Sequence, residues 1–393
     1  MISLGKRASG LRLERMQASP LWKDGGFRNL HPITPGLRDT SAPRPSLRDF
    51  VFSEGRRVPN GPLPMLDPRS TWGRPSSTGL RATWLGHSSV LIEIDGLRVL
   101  TDPVWGPRAS PSRLIGPKRF QPAPVRLSQL PPIDVVVISH DHYDHLDYPT
   151  IRQLAKTRVP FVTSIGVGAH LQAWGIAPER ITELDWWQSH TLPRADLTIH
   201  AAPSQHFSGR SLKDRNATLW SSLVIESPRH RVFFSGDTGL TTEYASIRER
   251  FGPFDLVMLE VGAFHPTWGD IHLGPENALK ALELLGGGAF LPVHWGHVQL
   301  GHARLGRACG NPAGAWRTAG CALAHAQAWA SHRACARPAG CAVVARAWRR
   351  AASGCEDCGR ARTGRAGAGE AGASAVADGL EKFGYYWLLA LIQ

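Results

Sequence analysis

The sequence predicts an α+β fold: two facing mixed β-sheets with helices on the outside. Two patterns carry that prediction. Strand-like runs come first in succession, and later runs alternate with helical patterns. Candidate metal ligands then fall just past several of these runs, where a rigid sheet hands side chains to loops.

The elements follow in order. Residues 1–78 are rich in Pro, Arg, Gly and Ser and read as an extended arm with one short helix. Residues 79–296 read as the catalytic domain. Arg81–Leu85 and Ser88–Ile94 have strand character, Asp95-Gly96 is a hairpin turn signal, and Leu97–Thr101 returns. A Pro-rich loop spans 103–133, and the apolar run from Asp134 to Ser139 is a buried strand. Thr150–Thr157 reads as a helix with Thr150 as its cap, Val159–Thr163 as a strand and Val167–Trp174 as a helix. Further strands are expected at Leu197–Ala202, Ser221–Glu226 and Arg231–Ser235, then a helix at 241–251. Strands Phe254–Glu260 and Ala289–Val293 flank a helix at Gly274–Leu285.

With 393 residues and 42% apolar content, the chain can bury a sizeable core. It has no apolar run of about eighteen residues, so no membrane span is expected. The start, Met1-Ile-Ser-Leu-Gly-Lys-Arg7, has no apolar stretch behind its basic residues, which argues against a secretory signal. The cytoplasm is the expected location, with attachment to a membrane surface left open. The net charge of +13 is unevenly placed. Residues 297–393 hold eleven Arg, one Lys and five acids, a balance of +7 that leaves +6 for the first 296 residues. That modest remainder argues against a nucleic-acid partner. All six cysteines lie beyond residue 308, so the catalytic part needs neither disulfide nor thiolate ligand.

The chain changes character after His294-Trp295-Gly296. Ala, Gly, Arg and Cys follow in no clear period, as in Ala361–Glu370. A low-complexity, disordered tail is one reading. The favoured one is a shifted reading frame: plausible codons from Gly296 onward, reread one base along, give Gly-Thr-Phe-Asn-Leu-Gly-Thr-His-Ala. The pair Cys355 and Cys358 is then an accident of frame rather than half a zinc site. Loss of the closing elements would keep every candidate ligand up to His294, and a folded-but-inactive or unstable product is then an alternative to an active hydrolase.

The chemistry concentrates in His140-Asp141-His142-Tyr143-Asp144-His145. Divalent ions of borderline softness take neutral imidazoles and carboxylates. In an extended loop alternate side chains point the same way, so His140 and His142 can share one ion. Asp144 and His145 can reach a second. A two-metal site needs more ligands, and His206, Asp237 and His294 each end a strand-like run with small residues nearby.

This set, with Trp84-Leu-Gly-His-Ser-Ser89, Thr101-Asp-Pro103, Ser204-Gln-His-Phe207, Leu219-Trp-Ser221, Gly236-Asp-Thr-Gly239 and His294-Trp-Gly296, resembles the metallo-β-lactamase superfamily. Within it the closest resemblance is to the N-acylphosphatidylethanolamine-hydrolysing phospholipase D family. The resemblance implies an αββα sandwich and two Zn²⁺, with Mn²⁺ or Fe²⁺ as alternatives. It places His140, His142 and His206 on one ion, Asp144, His145 and His294 on the other, and Asp237 between them. Asp144, Asp237 and His272 become the catalytic candidates. His272 stands near substrate, where it would stabilise phosphate charge or protonate the leaving oxygen. The implied reaction is zinc-dependent cleavage of N-acylphosphatidylethanolamine to N-acylethanolamine and phosphatidic acid by a water shared between the ions. Hydrolysis of another ester or lactone on the same scaffold is the alternative, because fold does not determine substrate.

The expected partners are a phospholipid substrate and no nucleic acid, with a homodimer and a peripheral membrane contact left open. His87 is expected to support the metal loop. Trp186-Trp187 could wall an acyl chain or fill the core. The basic loop Arg108–Arg119 could meet phosphate head groups or simply be solvated.

Overall fold

The computed structural model describes residues 2–33, 65–193, 195–262 and 270–296. The segment from 297 onward, with all six cysteines and the expected change of reading frame, lies outside the described residues. So do residues 34–64 of the arm.

The first sheet orders six strands as β3-β4-β5-β6-β7-β8. They are β3 (Leu80–Gly86), β4 (Ser89–Ile94), β5 (Leu97–Thr101), β6 (Val135–Ile138), β7 (Phe161–Ser164) and β8 (Ile181–Leu184). The β3–β4–β5 meander is antiparallel, and β5 through β8 run parallel. Asp95 and Gly96, both at positive φ, make the expected turn between β4 and β5.

The second sheet orders β9 (Ser189–Thr191), β10 (Thr198–Ala202), β11 (Ser222–Glu226), β12 (Arg231–Phe234), β13 (Leu256–Glu260) and β14 (Ala289–Val293) from one edge to the other. It too is antiparallel at one side and parallel at the other, where β12, β13 and β14 lie together. Strands β8 and β9 are absent from the sequence reading. Their runs Ile181-Thr-Glu-Leu184 and Ser189-His-Thr191 are short and largely polar, and the sheet neighbours decide them.

Side-chain alternation builds three layers of core from these two sheets. Val135 and Val137 of β6 point between the sheets, towards Ile199, Leu223, Phe234 and Met258. Val136 and Ile138 point outward, onto Ile151, Leu154, Leu171 and Trp174. Those residues belong to or adjoin two helices, Tyr148–Leu154 and Gly168–Ala173. On the other sheet Val224, Phe233, Val257 and Leu259 point outward onto the helices Glu243–Phe251 and Gly274–Leu284. The period-2 pattern of every strand therefore feeds two faces, and the result is the predicted αββα sandwich.

One helix start differs from the sequence reading. The helix expected from Thr150 begins at Tyr148, with Asp147 as its cap accepting from Thr150 N at 3.2 Å. Pro149 is tolerated there because the first turn has no intrahelical partner for its missing N–H.

Part of the arm docks on the sandwich. A helix at Leu11–Gln17 and a hairpin, β1 (Trp22–Lys23) and β2 (Gly26–Phe27), set Met16 and Phe27 against Ile165, Trp186, Leu219 and Trp220. Trp186 is thus a core residue, and its Nε1 donates to Trp220 O at 2.7 Å. Trp187 is stacked beside Phe251.

Candidate metal centre

The site sits where the parallel strands of both sheets end. The run His140–His145 follows β6, His206 follows β10, Asp237 follows β12, Glu260 closes β13 and His294 follows β14. Open sheets collect functional side chains at such strand ends because the scaffold fixes each loop's origin. Three non-glycine residues around the site hold positive φ: His87 (53°), Asp102 (31°) and His294 (65°). Backbone of this kind persists only where surrounding contacts over-determine it. For His294 one such contact is its N–H donating to His87 O at 3.0 Å.

Two clusters of buried ligand atoms meet, and a third buried group, Asp237, Glu260, His272 and His294, overlaps them. In the first, His142 Nδ1 lies 2.9 Å from His140 Nε2 and 3.2 Å from His206 Nε2. Asp237 Oδ2 stands 3.9 Å from His140 Nε2 and 3.8 Å from His206 Nε2. In the second, Asp144 Oδ2 is 3.1 Å from His294 Nε2, 3.0 Å from His87 Nε2 and 3.6 Å from His145 Nε2. Asp237 joins the two, with Oδ1 3.2 Å from His145 Nε2 and Oδ2 3.2 Å from His294 Nε2. All seven predicted ligands are therefore brought together in the predicted grouping. His87, read as a support for the loop, does touch Asp144, and its Nε2 also falls within the second cluster.

The outer faces of the imidazoles say which nitrogen is free. His206 Nδ1 donates to the carbonyl of Ile271 at 2.9 Å, so its Nε2 presents a lone pair to the centre when the ring is neutral. His145 Nδ1 meets Asp102 Oδ2 at 2.6 Å. Ser139 Oγ donates to the same oxygen at 2.6 Å and lies 2.9 Å from His140 Nδ1. One buried carboxylate thus orients a ligand in each cluster, directly and through a hydroxyl. His145 Nε2 and Asp237 Oδ1 are buried with no hydrogen-bond partner. Converging lone pairs and carboxylate oxygens, with orphaned buried atoms among them, fit divalent cations.

Electrostatics agree. Burial, reinforced by neighbouring imidazoles, pushes His140 and His142 well down, His142 to about 3. Burial also keeps His206 down, against the pull of Asp237. His87 falls to about 3 through burial and the proximity of His294. Burial opposes ionisation of Asp144 and Asp237, but the adjacent His145 and His294 outweigh it and hold both carboxyls well below their ordinary range. Burial likewise opposes charge on His294, yet Asp237 and Asp144 lift it to about 10, and His145 is raised in the same way. Two anionic carboxylates and three neutral imidazoles are the donor set that a cation requires.

The chain has relatives in sequence. The β-lactamase superfamily domain matches residues 97–295. This chain belongs to the metallo-β-lactamase superfamily. An uncharacterized protein of Mycobacterium tuberculosis is 45% identical over 302 residues, covering 76% of this chain and 80% of the relative. The N-acyl-phosphatidylethanolamine-hydrolyzing phospholipase D 1 of Caenorhabditis elegans is 36% identical over 236 residues, covering 58% of this chain and 66% of that protein. Among solved structures, the isothiocyanate hydrolase from Delia radicum gut bacteria aligns at 20% identity and a TM-score of 0.45, over 56% of this chain and 86% of that chain. As a superfamily member with buried His/Asp clusters, the chain is a metal-dependent hydrolase.

Several residues around the clusters escaped the sequence reading. Glu260 is fully buried; its Oε2 lies 2.8 Å from His272 Nδ1 and 3.4 Å from His294 Nδ1. Its Oε1 accepts from Thr238 N at 2.8 Å and Leu273 N at 3.2 Å. Burial pushes this carboxyl up, although His272 offsets part of the effect. The available signal was an acid ending an otherwise apolar strand. Asn29 came from the arm: its side chain accepts from His206 N at 3.1 Å and donates to His206 O at 2.8 Å. Asp141 lies inside the dense run but turns away from the centre, accepting from Gly209 N at 2.8 Å and facing His170 at 3.4 Å. His272 stands beside the site, its ring 5.1 Å from that of His206.

Proposed function

We propose that the chain is a phosphodiesterase of phospholipase D type that cleaves N-acylphosphatidylethanolamine to N-acylethanolamine and phosphatidic acid. The observation that carries this is the pair of buried clusters sharing Asp237, a two-ion arrangement suited to in-line displacement at phosphorus. The 36% identity to the nematode enzyme supports the choice of substrate.

Bound divalent ions, Zn²⁺ in this reading, would supply an acidified water and neutralise the phosphate oxygens. His140, His142 and His206 would hold one ion, Asp144, His145 and His294 the other, and Asp237 both. Asp144 and Asp237 would offset part of the ions' positive charge and leave the rest to attract an anionic phosphate. The oxygen from water joins phosphorus, the bond from phosphorus to the ethanolamine oxygen breaks, and that oxygen takes up a proton. His272, held at Nδ1 by Glu260, is placed to interact with phosphate or to give that proton. Trp186 is buried among core aromatics, which leaves it no role as an acyl wall.

The test is hydrolysis of N-acylphosphatidylethanolamine in mixed micelles, with and without added Zn²⁺, in ¹⁸O-labelled water. Release of N-acylethanolamine with the label in phosphatidic acid supports the reading, as does loss of activity in His142→Ala. Label in the alcohol, or equal turnover by His142→Ala, refutes it.

A further inference from the structure

Three segments meet on one side of the metal run. The loop between Arg108 and Lys118, bridged at those two residues, is tied to the N-terminal residues by Ser3 Oγ donating to Pro111 O at 2.6 Å. Leu4 packs on Ala109 and Tyr143. The loop 209–215 joins them, with Arg210 Nη2 donating to Ser3 O at 3.0 Å and Tyr143 OH donating to Arg210 O at 2.6 Å. Tyr143 lies between the ligands His142 and Asp144, so this surface borders the metal run directly.

Large aliphatic side chains project from it. Leu114 is 83% exposed, Ile115 57% and Leu212 56%. They are held out by built turns rather than loose chain. Arg108 pins the first tip by donating to Arg113 O at 3.2 Å and Gly116 O at 2.6 Å. Ser112 Oγ accepts from Leu114 N at 3.2 Å. In the second loop the Asp214 carboxylate accepts from Arg210 N at 3.0 Å and Ser211 N at 2.7 Å, so the acid of this loop caps its own turn. Exposed Arg113, Lys118 and Lys213 flank the aliphatic tips. The loop 103–133 has no acid from Pro103 through Ile133.

We propose that this surface docks on an anionic lipid bilayer, with Leu114, Ile115 and Leu212 entering the acyl boundary and the flanking cations on the head groups. Rigid aliphatic tips ringed by cations bind a lipid surface through apolar burial and charge together. A nucleic acid would use the cations but leave the aliphatics in water. Binding to vesicles stands on the surface alone; its purpose rests on the phospholipid reading above.

The full chain, loaded with Zn²⁺, is sedimented with vesicles of phosphatidylcholine alone or mixed with phosphatidylglycerol. Binding to the mixed vesicles is expected, with about fivefold loss for Lys118→Glu or more. The double variant Leu114→Glu/Ile115→Glu should lose about tenfold or more while keeping its circular dichroism, zinc content and turnover of a detergent-dispersed substrate. Equal sedimentation of wild type and double variant overturns docking through these tips. So does binding to duplex DNA with none to vesicles. Vesicle binding with no lipid hydrolysis would leave the docking intact and remove the phospholipase reading.

Discussion

Asp102→Asn changes one oxygen to an NH₂ in a place where geometry leaves no slack. Oδ1 accepts from Ser139 N at 2.7 Å, and an amide oxygen can keep that bond. The NH₂ must then replace Oδ2, which faces His145 Nδ1 and Ser139 Oγ, both at 2.6 Å. A donor there favours the His145 tautomer with its proton on Nε2, the nitrogen that would bind metal. Coordination then forces two donors to face each other in a fully buried spot. Leaving a buried donor unsatisfied costs about 1–3 kcal/mol, or about 5- to 150-fold in affinity. That agrees with about 10- to 100-fold for losing the partner that orients a metal ligand. Ser139 relays the same disturbance to His140 Nδ1, so both clusters should weaken, the one containing His145 more. Competition against a chromophoric chelator near neutral pH measures both affinities, with circular dichroism to confirm the fold. Ser139→Ala should weaken only the cluster containing His140. Affinities for a folded Asp102→Asn within about twofold of wild type would refute the orienting role.

Proton release should accompany metal uptake. In the metal-free protein His294, raised to about 10, and His145 carry protons at neutral pH that coordination must displace. Affinity should therefore climb as pH rises from 7 towards 10, and a pH indicator should report protons released. Stability of the metal-free fold runs the opposite way: raised His pKa values stabilise it fully below about 6.5, and that contribution fades as pH rises through about 10. Gly262→Ala would put a methyl carbon 1.9 Å from His294 O, so the backbone holding this ligand must move, and metal affinity should fall with little change in secondary structure. Phe234→Ala empties a fully buried position between the sheets and should cost about 3–5 kcal/mol in denaturant unfolding, without altering the spectroscopic signature of bound metal in the protein that remains folded.

Much of the site was legible because metal chemistry concentrates ligands. Four of its members share one six-residue run, and the others end strands whose apolar periods are plain. Orienting residues carry no such mark. Glu260 looks like an ordinary acid at a strand end, Asp102 stood out only as part of the Thr101-Asp-Pro103 motif and with no role, and Asn29 lies in a polar arm 177 residues from the histidine whose backbone it clamps. Strands β8 and β9 were equally silent, since short polar runs become strands only when a sheet edge offers partners.

By itself, the sequence determined the layer order and nominated the candidate ligands, because hydrophobic period and donor chemistry are local properties of the chain. Only the tertiary structure decided the contacts by which Asp237, set between the ions by the family resemblance, reaches His145 and His294, the one carboxylate that orients His145 and reaches His140, and the aliphatic tips beside Tyr143. Each depends on the relative placement of loops from strands far apart in sequence. Packing of the two sheets sets that placement.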